Sequence, residues 1–151
     1  MYIEIFWWTV LSTISLWVCY TDVVHRKISN RQSVIVFVLC LIMMIYSESY
    51  SNYLHSIIVL LMGILLFTFG FWGAGDAKLL SAFSLAIKPD LIPVVLSIIT
   101  FLGLVLILSQ YIFDKFDSNN RCFSTNYGVP YGIAISIGAN FGVVLTILSG
   151  K

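Results

Sequence analysis

Charge is what this sequence has least of. Its 151 residues include eight Lys and Arg and seven Asp and Glu, 10% of the chain, where a soluble domain carries about 25%. Hydrophobic residues make up 60%, and mean hydropathy is +0.99. An exterior built from this list faces lipid, which excludes soluble enzymes, nucleic-acid binders and disordered chains. A net charge of +1 implies no electrostatic partner. Cysteine is scarce too. Cys19, Cys40 and Cys122 fit no metal spacing such as CxxC, and Cys19 and Cys40 lie in apolar runs, so they read as packed or lipid-facing thiols and no metal is implied. A cleavable leader is also missing. Glu4 stands where a basic region belongs and no small-residue cleavage site follows, so the first apolar run is expected to stay as a membrane helix. No linker, repeat or low-complexity tract stands out. At roughly 20 residues per spanning helix, the length holds about six helices.

The apolar runs are Ile5–Tyr20, Val34–Tyr46 (starting near Asn30 if it is to span), Leu54–Trp72, Ala77–Ile87, Leu91–Phe113 and Val129–Leu148. None alternates with period two, and backbone in lipid must satisfy its own hydrogen bonds, so they are expected to be helices. Asp114–Gly128, with Asn119, Asn120, Ser124, Thr125 and Asn126, reads as a loop. Arg26, Lys27 and Arg31 crowd the loop after the first helix, while Ser47–Tyr53 has no basic residue. The first loop is therefore expected on the cytoplasmic side and the N-terminus outside. Six full spans put six of the eight basic residues inside. A re-entrant fourth segment would exchange Lys88 and Lys151 for Lys115 and Arg121 and leave the same tally, so charge does not decide between the two. Gly138 and Gly142 form a GxxxG, which favours close helix packing. Asn140 should point into the bundle and bond across helices.

Among the acids, Glu4, Glu48, Asp90, Asp114 and Asp117 read as solvated groups at interfaces or in the loop. Asp22 and Asp76 differ, because the second and third helices return the chain so that both meet the same membrane face. Asp22 could pair with Arg26 and Asp76 could cap the fourth helix. Together they also suit aspartyl hydrolysis: one ionised carboxylate takes a proton from water while the other, protonated, polarises the scissile carbonyl. Two carboxyls about 3 Å apart share a proton. In Gly73-Ala74-Gly75-Asp76-Ala77-Lys78 the glycines should break the helix and let backbone come close. Lys78 could favour an ionised Asp76 or serve topology, and Asn30 could orient the first loop. Helix dipoles disfavour charge on Asp22, at the end of the first helix, and favour it on Asp76, at the start of the fourth. The resting proton is therefore expected on Asp22. His25 and His55 are set aside as a loop residue and an opposite-face residue. Trp72 and Tyr131 suit interface anchors, and Pro130 the first turn of the last helix.

Gly73-Ala74-Gly75-Asp76 followed by Ala-Lys-Leu-Leu resembles the GxGD signature of type IV prepilin peptidases. Asp22-Val-Val-His-Arg-Lys-Ile-Ser-Asn30 is similar to that family's string after its first helix, and Val129-Pro130-Tyr131-Gly132-Ile133-Ala134-Ile135 resembles the opening of its last. The three lie in the family's order over nearly the whole chain. The short length resembles the tight-adherence (Tad) pilus subtype, which lacks the added cytoplasmic region with paired CxxC motifs and its methyltransferase activity. Ser29 replaces the usual Pro and should loosen the loop. The resemblance implies an all-α integral membrane protein, residues 1–151 being one membrane-embedded domain. It implies six transmembrane helices and the GxGD turn at the start of the fourth. It also implies a membrane aspartic endopeptidase with Asp22 and Asp76 catalytic, Gly73, Gly75, Lys78 and Asn30 in support, no metal and no cofactor. The expected substrate is a prepilin-like protein with a basic leader and a hydrophobic helix, cut after Gly, with Glu a few residues into the mature chain. The cut falls at the cytoplasmic face of a bacterial inner membrane, in service of pilus assembly or type II-like secretion. Other readings are a small proton-coupled transporter, with acids near the midplane and symmetry between halves, and a non-catalytic scaffold of a secretion machine. A presenilin-type GxGD protease, whose first Asp follows a Tyr directly, is a fourth. Here Thr21 separates Tyr20 from Asp22.

Overall fold

A computed structural model describes residues 2–70, 72–116 and 129–149. Among the described residues are six α-helices, α1 (Tyr2–His25), α2 (Asn30–Tyr46), α3 (Asn52–Thr68), α4 (Ala74–Ser84), α5 (Ile92–Phe116) and α6 (Tyr131–Ser149), and a 3₁₀ turn at Pro89–Leu91 before α5. The described residues include no strand. Three stretches are long and apolar enough to cross a membrane, Ile3–His25, Pro89–Ile112 and Tyr131–Ser149. Helices α2 and α3 are apolar but have 17 residues each. The outer surface carries apolar side chains such as Leu16, Leu61 and Phe101, each more than half exposed, as lipid contact requires.

The centre of the bundle is α4. Its 11 residues rise about 16 Å, and Ala77 and every residue from Leu79 to Ser84 are buried. A helix apolar on all sides is stable only when enclosed. Phe83 and Leu79 join Leu11, Val36, Ile99 and Ile135 from four other helices in one core.

Hydrogen bonds across helices define the topology. Helix α3 runs antiparallel to α4: Asn52 Nδ2 donates to the Leu85 carbonyl (3.0 Å), Ser56 Oγ donates to the Ser81 carbonyl (2.6 Å), and Gly63 lies against Ala77. Helix α1 runs antiparallel to α6, Asp22 meeting Gly132 and Ser12 meeting Asn140. Past α4, the Lys88 N–H donates to Thr146 Oγ1 near the end of α6 (3.1 Å). So α4 does not turn back: its end lies with the start of α3 and the end of α6, away from Asp22.

Boundaries differ from the apolar runs mainly at polar ends. Helix α1 continues to His25, which puts Asp22 inside its last turns, and α3 stops at Thr68 with Gly70 at φ +77°. Helix α5 extends through Asp114 to Phe116; the rest of the expected loop, with Asp117, Arg121 and Cys122, lies outside the described residues. Gly138 and Gly142 face α5. A Cβ at Gly138 would stand 2.6 Å from Ile99 Cγ1, and one at Gly142 would strike Val95, so the GxxxG serves close packing.

Candidate active site

Asp22 and Asp76 are 54 residues apart in sequence, yet both line one cavity of about 580 Å³ at the end of the bundle where α1, α4 and α6 meet. Ligand pockets span about 300–1,000 Å³. Arg26, Lys27 and Ile28 form one wall, Gly70, Trp72, Gly73 and Gly75 another, and Val129 and Tyr131 close the side toward α6.

Each carboxylate is held by a backbone N–H. Gly132, in the first turn of α6, donates to Asp22 Oδ2 at 2.8 Å. The first four N–H groups of a helix lack partners within it and carry the positive end of its dipole, so they suit an anion. Asp22 is only 6% exposed. The Gly73 N–H donates to Asp76 Oδ2 at 3.3 Å, across the extended backbone of Gly73 (φ −76°, ψ 143°) that leads into α4. Asp76 stands in the first turn of α4, outside the helices of spanning length. Burial, and then the negative charge of Asp22, push its carboxyl up to about 6, while the Gly73 N–H pulls the other way.

The supporting residues divide. Gly73 and Gly75 line the cavity. Gly75 does not break the helix, as the sequence had suggested; it lies inside α4. Its missing side chain admits Ile28 instead, since a Cβ there would stand 3.1 Å from Ile28 Cβ. Lys78 and Asn30 bind each other, Nζ donating to Oδ1 at 3.0 Å. The pair ties the start of α2 to α4 and stands off the cavity wall, and Lys78 is not among the groups that act on Asp76. Nor does Ser29 loosen the first loop. It is the N-cap of α2: the Gln32 N–H donates to Ser29 Oγ (3.3 Å), and the Ser29 N–H donates to Gln32 Oε1 (3.0 Å). Gln32 is buried, and its Nε2 donates on to Thr21 Oγ1 (2.7 Å), next to Asp22. With Arg26 at φ +53° and its N–H on the Asp22 carbonyl, both ends of the turn are held.

Sequence reasoning passed over Gly132, Ile28, Gln32 and Thr21. A signal existed for two of them. Ser-x-x-Gln is the pattern of a capping box, and Gly132 follows Pro130 where a helix start leaves donors open. Nothing local marks Ile28, which wedges between two helix starts. A Cβ at Gly132 would meet its Cδ1 at 3.1 Å, besides Asp22 Oδ2 at 2.7 Å. Trp72 and Tyr131 line the cavity as well as suiting an interface; Tyr131 also packs on Gly103 of α5.

Two carboxyls thus line one end cavity of a helical bundle that has three helices long and apolar enough to cross a membrane. The type IV leader peptidase family matches residues 9–108, a stretch that contains both aspartates and ends before α6. The chain belongs to that family, and its role is that of a leader-peptidase-like protease. No curated protein and no solved structure matches it.

Proposed function

We propose that the chain is an aspartic endopeptidase that removes the basic leader of prepilin-like proteins at the cytoplasmic face of a bacterial inner membrane. In this reading the chain crosses the membrane six times with the N-terminus outside, α4 being a short helix enclosed by the others within its crossing. The proposed setting is pilus assembly, of the tight-adherence (Tad) kind, or type II-like secretion. The observation that carries this reading is that Asp22 and Asp76, from α1 and α4, line one cavity, each carboxylate on a backbone N–H. Proton-coupled transport is disfavoured, since both acids sit at one end of the bundle rather than near its middle.

The roles within the pair follow from the hydrogen bonds. The 2.8 Å N–H bond from α6 favours charge on Asp22, and Asp76, pushed up to about 6, is assigned as the member that carries the proton when the pair holds one. This reading departs from the expectation drawn from each residue's own helix, since the start of α6 supplies Asp22 with an N–H that α1 does not. Asp22 then takes a proton from water, whose oxygen attacks the scissile carbonyl. Asp76 donates its proton to the carbonyl oxygen. Collapse of the tetrahedral adduct passes a proton to the departing amine.

The test is co-expression with a chain carrying a basic leader, Gly and a hydrophobic stretch, scored by mobility. Asp22→Asn and Asp76→Asn should each lower cleavage by about 10²–10⁴-fold, with membrane insertion unchanged. Retention of more than roughly a hundredth of the wild-type rate by either variant would remove that residue from the dyad.

A further inference from the structure

Below Asp22 runs a polar seam that the proposed chemistry does not use. Ser12, Ser15, Cys19 and Asp22 are spaced three, four and three residues apart, so they lie along one face of α1. Opposite them on α6 stand Asn140, Ser136 and Gly132. Asn140 Oδ1 accepts from Ser12 Oγ (3.0 Å), and its Nδ2 donates to Ser15 Oγ (2.8 Å) and to the Ser136 carbonyl (2.8 Å). Ser136 and Cys19 fall level with each other between these bonds and the one from Gly132 to Asp22. The pairs step along both helices in one antiparallel register.

Within lipid, apolar contacts between helices do little to oppose sliding, since lipid tails serve as well; small residues and interhelical hydrogen bonds supply the register. The GxxxG of α6 is engaged with α5 through Ile99 and Val95, so it does not lock α1. A slip of one residue moves a helix by about 1.5 Å, enough to take Asp22 Oδ2 out of reach of the Gly132 N–H. We propose that Asn140 is a positioning residue: by clamping Ser12 and Ser15 it sets the register of α1 against α6 and so holds the Asp22 carboxylate on the Gly132 N–H. The consequence for cleavage rests on the role proposed for Asp22; the register itself does not.

Two readouts in the full-length protein, in membranes, separate these claims. The first needs no activity. Cys19 faces Ser136, so Ser136→Cys, with Cys40→Ala and Cys122→Ala to remove other thiols, should form a disulfide when copper-phenanthroline and oxygen take the two electrons and two protons from the thiols. Adding Asn140→Leu should slow that crosslink roughly three- to tenfold, the range that interhelical hydrogen bonds support. Ser12→Ala with Ser15→Ala should slow it similarly, and Asn140→Leu should add little on top. An unchanged crosslinking rate in Asn140→Leu overturns the clamp. The second readout is cleavage. Asn140→Leu in the otherwise unaltered chain should lower kcat by the same factor at unchanged KM, per inserted molecule. A loss that only tracks the amount of inserted protein, or one confined to KM, overturns the positioning role. A wild type that cleaves no leader substrate would sink the proposed function, with the crosslinking result still deciding the register.

Discussion

Replacing Asp22 changes Asp76 as well, because the negative charge of one helps hold the proton on the other. Asp22→Asn should therefore lower the Asp76 midpoint from about 6. Burial, the larger cause, remains, so the midpoint should stay above the ordinary carboxylate range. Infrared titration with isotope-labelled Asp reads this directly, and an unchanged or higher midpoint would refute the coupling. In the wild type the protonated-carboxyl band near pH 6 should belong to Asp76 and vanish in Asp76→Asn. A band that survives there but disappears in Asp22→Asn would return the proton to Asp22. The sign for activity follows. An acid that must be protonated is lost as pH rises through its pKa, so kcat/KM, which reports the free enzyme, should decline as pH climbs through about 6.

Helix starts do much of the positioning in this protein. Those of α4 and α6 both open on the cavity, and each is approached so closely that glycine is required. Gly132→Ala would set a Cβ 2.7 Å from Asp22 Oδ2 and displace the N–H bond beneath it. Charge-assisted hydrogen bonds are worth about 1.5–3 kcal/mol, so cleavage should fall roughly ten- to a hundredfold, with insertion intact. Gly75→Val should also impair cleavage, now by pushing Ile28 off the start of α4. Full activity in either variant, measured per inserted molecule, would show that the contact is dispensable. The helices themselves were legible from apolar runs, because lipid demands continuous apolar surface and internally bonded backbone. Their polar ends were not, since an apolar run stops where hydropathy stops. Thus α1 carries Asp22 within it, and Ser29, read as a missing proline, proved to be a cap.

The bundle also has two distinct ends. Arg26–Ile28, Gly73–Asp76 and Val129–Tyr131 gather at one. The other holds Asn52, Leu85, Lys88 and Thr146. In a background without the native cysteines, Lys27→Cys and Lys88→Cys should be labelled by an impermeant thiol reagent from opposite sides of the membrane. Labelling of both from one side would contradict six full crossings.

Composition was enough to make this a helical membrane protein, because so few charges cannot cover a surface in water. Three short strings, around Asp22, Asp76 and Pro130, were enough to point to the family and to both candidate acids, since that chemistry leaves particular residues at particular spacings. Which way α4 leaves the site was beyond charge counting, which gives one tally for two topologies; the bonds of Asn52 and Lys88 set the end of α4 away from Asp22. What bears on the division of labour between the acids likewise lies in three dimensions. Each aspartate's own helix argues for a proton on Asp22, while the start of α6, 110 residues away along the chain, brings to that carboxylate an N–H that favours its charge. Local sequence carries the dipole of the helix a residue belongs to, but not that of the helix it touches.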